Sequence, residues 1–158
     1  MQMTEKILIN TDPIAVLNRL SHAAFLNFCS TFLYTLGLTQ VQASLSEDGI
    51  VSGDAVIELG SFAPYRISFL AKQHSGTLPD GLIVAARETM DLSTNKGLVL
   101  TSGGFSREAK RLSKAKREIP FDLIDADGLV RRLQALRLGI SYQTGEVYRL
   151  TDNKYNER

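Results

Sequence analysis

Gly53-Asp54-Ala55-Val56-Ile57-Glu58-Leu59 and Tyr65-Arg66-Ile67-Ser68-Phe69-Leu70-Ala71-Lys72 are two alternating runs, separated by Gly60 and the turn formers Ser61 to Pro64. Side chains along a β-strand point to opposite faces with a period of two. Asp54, Val56 and Glu58 therefore share one face of the first run, opposite Ala55, Ile57 and Leu59. In the second run Tyr65, Ile67, Phe69 and Ala71 line one face, and Arg66, Ser68, Leu70 and Lys72 the other. Two such runs joined by a short turn predict an antiparallel pair of strands. The pairing is expected to bring an acid, Asp54, and a lysine, Lys72, side by side at the end of a sheet.

Upstream, Asp12-Pro13 reads as a helix start, with Asp as the cap and Pro at the first helical position. Ile14, Leu17, Leu20, Ala24, Phe25, Phe28, Phe32, Leu33 and Leu36 then recur at helical spacing as far as Gly37, a natural stop. The run is one long helix or two with a joint near Ser21. Residues 38–45 read as a strand and Ser46-Glu47-Asp48-Gly49 as a turn. Downstream, the pattern predicts a helix over residues 80–90, a strand over 97–101 and a helix over 106–117 broken by Pro120. A strand over 121–124, a helix over 127–138 closed by Gly139, and a hairpin around Thr144-Gly145 complete it. Helix, strand meander, then strands alternating with helices describe an α/β fold whose mixed sheet begins antiparallel and continues as βαβ units. We expect an N-terminal helical extension over residues 1–20, one domain over residues 21–150, and a polar tail over residues 151–158.

The 158 residues are 44% hydrophobic and 22% charged, the balance of a folded soluble chain rather than a disordered one. One cysteine excludes a disulfide framework, and with two histidines it leaves no ligand set for a structural zinc. No apolar run approaches the roughly 20 residues of a membrane span, and no secretory leader pattern is present. A cytoplasmic protein without membrane association is expected. Charge is unevenly spread: residues 1–95 carry five Lys and Arg against nine Asp and Glu, and residues 96–137 carry ten against five. Such asymmetry suits a carboxylate-bearing site beside a face that binds a polyanion, and it is also common on solvated surfaces.

Two arrangements carry candidate chemistry. An acid such as Asp54 can hold a divalent metal that activates water, while Lys72 orients that water or stabilises charge developing on a phosphate. The same two residues also make an ordinary solvated pair on neighbouring strands. The second arrangement lies in residues 106–117, where Arg107, Lys110, Arg111, Lys114 and Arg117 recur at steps of three or four. With Lys116 they put six cations within eleven residues against one acid, Glu108. On one helix they form a ridge suited to DNA phosphates. Ser102, Gly103, Gly104 and Ser106 precede it, and their amides are placed to cradle a phosphate at the helix start. Ser106 is equally an ordinary helix cap. Cys29, Phe28 and Phe32 fit a packed core better than a reactive or base-stacking role.

Gly53 to Ile57 and Phe62 to Lys72 resemble the core of the Mrr-type restriction endonucleases, within the wider PD-(D/E)XK nuclease superfamily. The resemblance extends to Lys96-Gly97-Leu98-Val99-Leu100-Thr101-Ser102-Gly103-Gly104-Phe105-Ser106-Arg107-Glu108-Ala109 and to Phe121-Asp122-Leu123-Ile124-Asp125-Ala126-Asp127-Gly128-Leu129, and upstream to residues 25–37. It covers roughly residues 22–140. It implies a restriction-endonuclease-like three-layer fold, a central mixed β-sheet flanked by helices. Matched position by position, Asp54 takes the place of the metal-binding Asp and Lys72 that of the catalytic Lys. Two residues before the lysine the family places a Gln or Glu, where this chain has Leu70. A Glu in the family's opening helix corresponds to Leu26. The implied activity is Mg²⁺- or Mn²⁺-dependent hydrolysis of double-stranded DNA, with recognition supplied by a homodimer or a partner chain. The two leucines point to the alternative, a catalytically inactive nuclease-fold module for DNA binding or complex assembly. An α/β small-molecule enzyme whose basic helix takes a phosphorylated ligand is the reading from another class.

Overall fold

A computed structural model of the chain describes residues 12–150. Residues 1–11 of the expected extension and the expected tail over 151–158 lie outside the described residues. Asp12 caps helix α1 (Pro13–Arg19), its carboxylate accepting the Ile14 amide at 3.1 Å. Leu20 turns the chain, and Ser21 caps α2 (His22–Thr35) by accepting the Ala24 amide. The joint therefore falls at Ser21, where a side-chain cap competes successfully with a continuous helix. Gly37, at φ +99, ends α2 in a conformation that a side chain disfavours.

Three strands follow, β1 (Thr39–Leu45), β2 (Val51–Ile57) and β3 (Tyr65–Lys72), each antiparallel to its neighbour. Then come α3 (Gly81–Glu88), β4 (Lys96–Thr101), α4 (Arg107–Ser113), β5 (Phe121–Ile124) and α5 (Ala126–Ala135). β3, β4 and β5 are parallel, and the five strands lie in the sheet in chain order. A small antiparallel pair, β6 (Leu138–Ile140) and β7 (Val147–Arg149), closes the described chain.

The sheet separates two apolar layers, and the alternation in β2 and β3 decides which residue enters which. Val51, Ala55, Ile67, Phe69 and Ala71 join Leu98, Leu100 and Ile124 against α1, α2, α5 and β6. Phe25, Phe28 and Phe32 stack along α2 in that layer and are almost fully buried. On the other face Leu70, Val99 and Phe121 pack against Leu78, Ile83 and Ala86 of the α3 side and Ala109 of α4. Successive β-α-β crossovers in one direction put both helices on one face. The chain thus forms the expected three-layer α/β arrangement around a mixed sheet.

Three helices are shorter than the spacing predicts. α3 stops at Glu88 because Thr89 turns its hydroxyl back onto the Ala86 carbonyl. α4 runs only to Ser113 rather than Arg117. The Ser113 hydroxyl bonds back to the Lys110 carbonyl, and Arg87 of α3 takes the Leu112 carbonyl that the next turn would have used. α5 ends at Ala135, and Gly139 is a strand residue instead of a helix stop. Leu138 and Ile140 enter the first core as β6, and the Tyr148 ring lies where a Cβ on Gly139 would sit.

Candidate functional site

The first two layers leave one part of the sheet uncovered. α3 and α4 lie over the parallel half, and on the same face of β1–β3 Gln42, Ser44, Asp54 and Arg66 are open to solvent while Val56 and Leu70 are buried. Val41 and Ala43 of β1 pack inward against the first core, which sends Gln42 and Ser44 outward. Across from Gln42 stands Asp54, and across from Asp54 stands Ser68. Directly opposed residues of antiparallel strands share a face. Gln42, Asp54 and Ser68 therefore form a polar row across three strands. The sequence carried a signal for Gln42 and Ser68, since both sit on the polar phase of an alternating run.

Asp54 is exposed, and Lys72 is half-buried at the end of β3. They share the open face but are not side by side. The residue opposite Asp54 is Ser68, and Lys72 lies four positions further along β3, about 13 Å at the rise of a regular strand. The Lys72 ammonium donates to the Asp48 carbonyl of the β1–β2 turn at 3.4 Å. Leu70 stands between the two, opposite Ser52, with 9% of its surface exposed.

Several other polar groups near this face are engaged elsewhere, while Glu47 and Asp48 stay exposed in the β1–β2 turn. Glu58 accepts from the Gln40 amide at 3.4 Å. Gln73 points through the opposite face, donating to the carbonyls of Leu17 and Leu20 at the end of α1. The His74 ring bonds the Thr77 carbonyl at 3.0 Å. Leu26 packs against the first core, across the sheet from Asp54. Among the described residues no three His, Cys, Asp or Glu side chains come together in a way that would hold a metal.

The glycine-rich segment after β4 does not offer its amides as a cradle. The Gly103 amide donates to the Thr101 hydroxyl and the Gly104 amide to the Gly76 carbonyl. A Cβ on Gly103 would lie 2.3 Å from the Gly76 oxygen, so this glycine is required by backbone approaching backbone. Ser102 is buried, donating to Asn18 at 2.6 Å and accepting from the His74 amide. Ser106 caps α4, accepting from the Ala109 amide and donating to the Asp80 carboxylate. These four residues hold together the carboxyl edge of the parallel strands.

The basic ridge is shorter than a helix over 106–117 would make it. Arg107, Lys110, Arg111 and Lys114 fall within one side of α4 and its cap, and all are exposed. Lys116 and Arg117 lie beyond the helix, with Arg117 at φ +65 in a turn. Arg111 is held by Glu108 through two bonds of 2.9 and 2.6 Å. The hydrogen bond from Arg111 holds the Glu108 carboxyl below its usual range, and the same pairing raises Arg111. Arg107, Lys110 and Lys114 show no such partner among the described residues. The turn after α4 is fixed by Arg87, which no motif singled out. Its guanidinium donates to the carbonyls of Leu112 and Ile119, pairs with Glu118 at 3.4 Å and lies 4.8 Å from the centre of the Phe121 ring.

The three-layer α/β domain places an acid and a lysine on one face of its antiparallel strands. The family model for the Mrr-type restriction endonuclease domain matches residues 17–133, well over half of the chain. The chain belongs to this restriction endonuclease family. A solved structure described as the DNA modification-dependent restriction endonuclease AspBHI is similar at 18% identity and a TM-score of 0.49, over 77% of this chain and 34% of that one. The chain thus spans about a third of that protein. No curated protein is matched. Among the described residues no helix is long and apolar enough to cross a membrane.

Restriction endonucleases of this family generally use a divalent metal. The residues present do not make a site for it. Hard divalent cations take oxygen ligands, and around Asp54 this face offers only the neutral oxygens of Gln42 and Ser68, Glu58 being four positions along β2 and bonded to Gln40. The position between Asp54 and Lys72 carries the methyl groups of Leu70.

Proposed function

We propose that this chain is a restriction-endonuclease-family domain that engages double-stranded DNA without completing a metal centre of its own. The observation that carries the reading is Leu70, packed into the second core between Asp54 and Lys72. Arg107, Lys110 and Lys114 supply the phosphate-binding cations. The test is DNA binding measured across salt concentrations, together with plasmid cleavage in Mg²⁺ and in Mn²⁺ on methylated and unmethylated DNA. Affinity that falls steeply with salt and no cleavage support the proposal. Salt-independent binding, or none, refutes it.

A second reading, metal-dependent hydrolysis of phosphodiester bonds in duplex DNA, is favoured by one observation. Asp54 and Lys72 both remain on the open face, flanking the same position. In that reading Asp54 holds Mg²⁺ or Mn²⁺ and Lys72 is the catalytic lysine. Cutting that Asp54→Ala and Lys72→Ala each abolish would establish it. Cutting that survives both belongs to a contaminant or another site.

A further inference from the structure

We infer that a single apolar side chain, Leu70, keeps the open face from holding a divalent cation, and that one oxygen donor at that place converts the face into a cation site. This deepens the reading above, because it says why the Asp54 face binds no metal and what would change that. The register carries it. Asp54 is opposite Ser68 and Leu70 is opposite Ser52, so Leu70 is the diagonal neighbour of Asp54 on the next strand. Diagonal neighbours on one face stand about 7–8 Å apart, within reach of two converging side chains. Lys72 is the next residue of β3 on that face, about 6.6 Å beyond Leu70 at the rise of a regular strand. A carboxylate at position 70 would therefore face Asp54 on one side and have the lysine on the other.

Nothing else on the face fills that gap. Ser52 and Ser68 are short, neutral and half-buried, and Gln42 lies on the far side of Asp54 from Leu70. Glu58 is four positions along β2 from Asp54 and is engaged by Gln40. Leucine at position 70 has a structural use instead. Its side chain extends the second core towards the open face, touching the layer of Leu78, Ile83 and Val99. The position is at the rim of that core, with 9% of the residue exposed. A longer polar side chain there can keep its stem on the core and turn its head to solvent, as amphipathic side chains do at apolar margins.

The experiment titrates the full chain with Mn²⁺ in the absence of DNA, following heat of binding and the metal-induced rise in unfolding temperature. A cation that binds the folded state alone raises that temperature. Wild type is expected to show neither signal. Leu70→Glu is expected to bind Mn²⁺ at least about tenfold more tightly than wild type, the order that a second nearby carboxylate supplies. Adding Asp54→Ala to Leu70→Glu should remove the gain. Leu70→Gln puts an uncharged oxygen donor at the same place, and it decides the matter should Leu70→Glu fail to fold. Asp54-dependent Mn²⁺ binding by wild type overturns the inference. So does a folded variant that gains nothing, or a gain that survives Asp54→Ala. DNA affinity in EDTA is measured alongside: its failure would count against the proposed function, whereas the Mn²⁺ titration bears on Leu70 alone.

Discussion

Replacing Glu108 with Gln should make DNA binding tighter and steeper in its dependence on salt. Glu108 ties up Arg111 through two hydrogen bonds, whereas Arg107, Lys110 and Lys114 on the same side of α4 have no such partner among the described residues. Each phosphate neutralised contributes a slope of about −0.9 to log K against log salt concentration. Three cations thus give about −2.7, a loss of roughly fortyfold in affinity between 50 and 200 mM salt. Glu108→Gln removes the charge that holds Arg111 and adds a fourth cation. The slope becomes about −3.6, a loss of roughly 150-fold over the same interval. Fluorescence anisotropy with a labelled duplex at four or more salt concentrations measures both slopes. Arg107→Ala is the converse control and should flatten the wild-type slope by about 0.9. An unchanged or shallower slope in Glu108→Gln would refute the assignment of this side of α4 to DNA.

Three further outcomes follow from the packing. Arg87→Met should cost about 2–4 kcal/mol in urea unfolding, since it removes the donor to the Ile119 carbonyl, a second donor to the Leu112 carbonyl and a cation over an aromatic ring; a loss under about 0.5 kcal/mol would contradict the role given to this arginine. Cys29 is fully buried, and burial pushes its thiol well above the usual range. Iodoacetamide at pH 8 should leave it unmodified in the native protein and label it in denaturant. The Ser93 hydroxyl and then its amide hold the Asp91 carboxyl below the usual carboxylate range. A lowered folded pKa means the contribution is present above that range and is lost as pH falls through it. Stability measured from pH 7 to pH 3 should fall more steeply in wild type than in Asp91→Asn.

The local rules were legible in the chain itself. Caps at Asp12 and Ser21, the stop at Gly37 and the alternation of β2 and β3 each depend on residues close in sequence, and they set the elements and the face that every strand residue occupies. That alternation is also why Asp54, Leu70 and Lys72 could be placed on one face before any pairing was known. How far apart they stand depends on register, a property of two strands together. Asp54 meets Ser68, and the hairpin thereby sets the lysine four positions beyond. The end of α4 was hidden for a similar reason. Helical spacing continues through Arg117, but Arg87, from another helix, takes the carbonyl at which α4 ends. Gly103 and Gly104 read as a phosphate cradle because a glycine-rich turn before a helix has that form. The folded chain has both amides already bonded, Gly103 to the Thr101 hydroxyl and Gly104 to the Gly76 carbonyl from a distant loop. Sequence determines which surfaces and faces exist, through interactions a few residues long; tertiary structure determines which polar groups remain unpaired on them, because the partners that satisfy those groups come from distant parts of the chain.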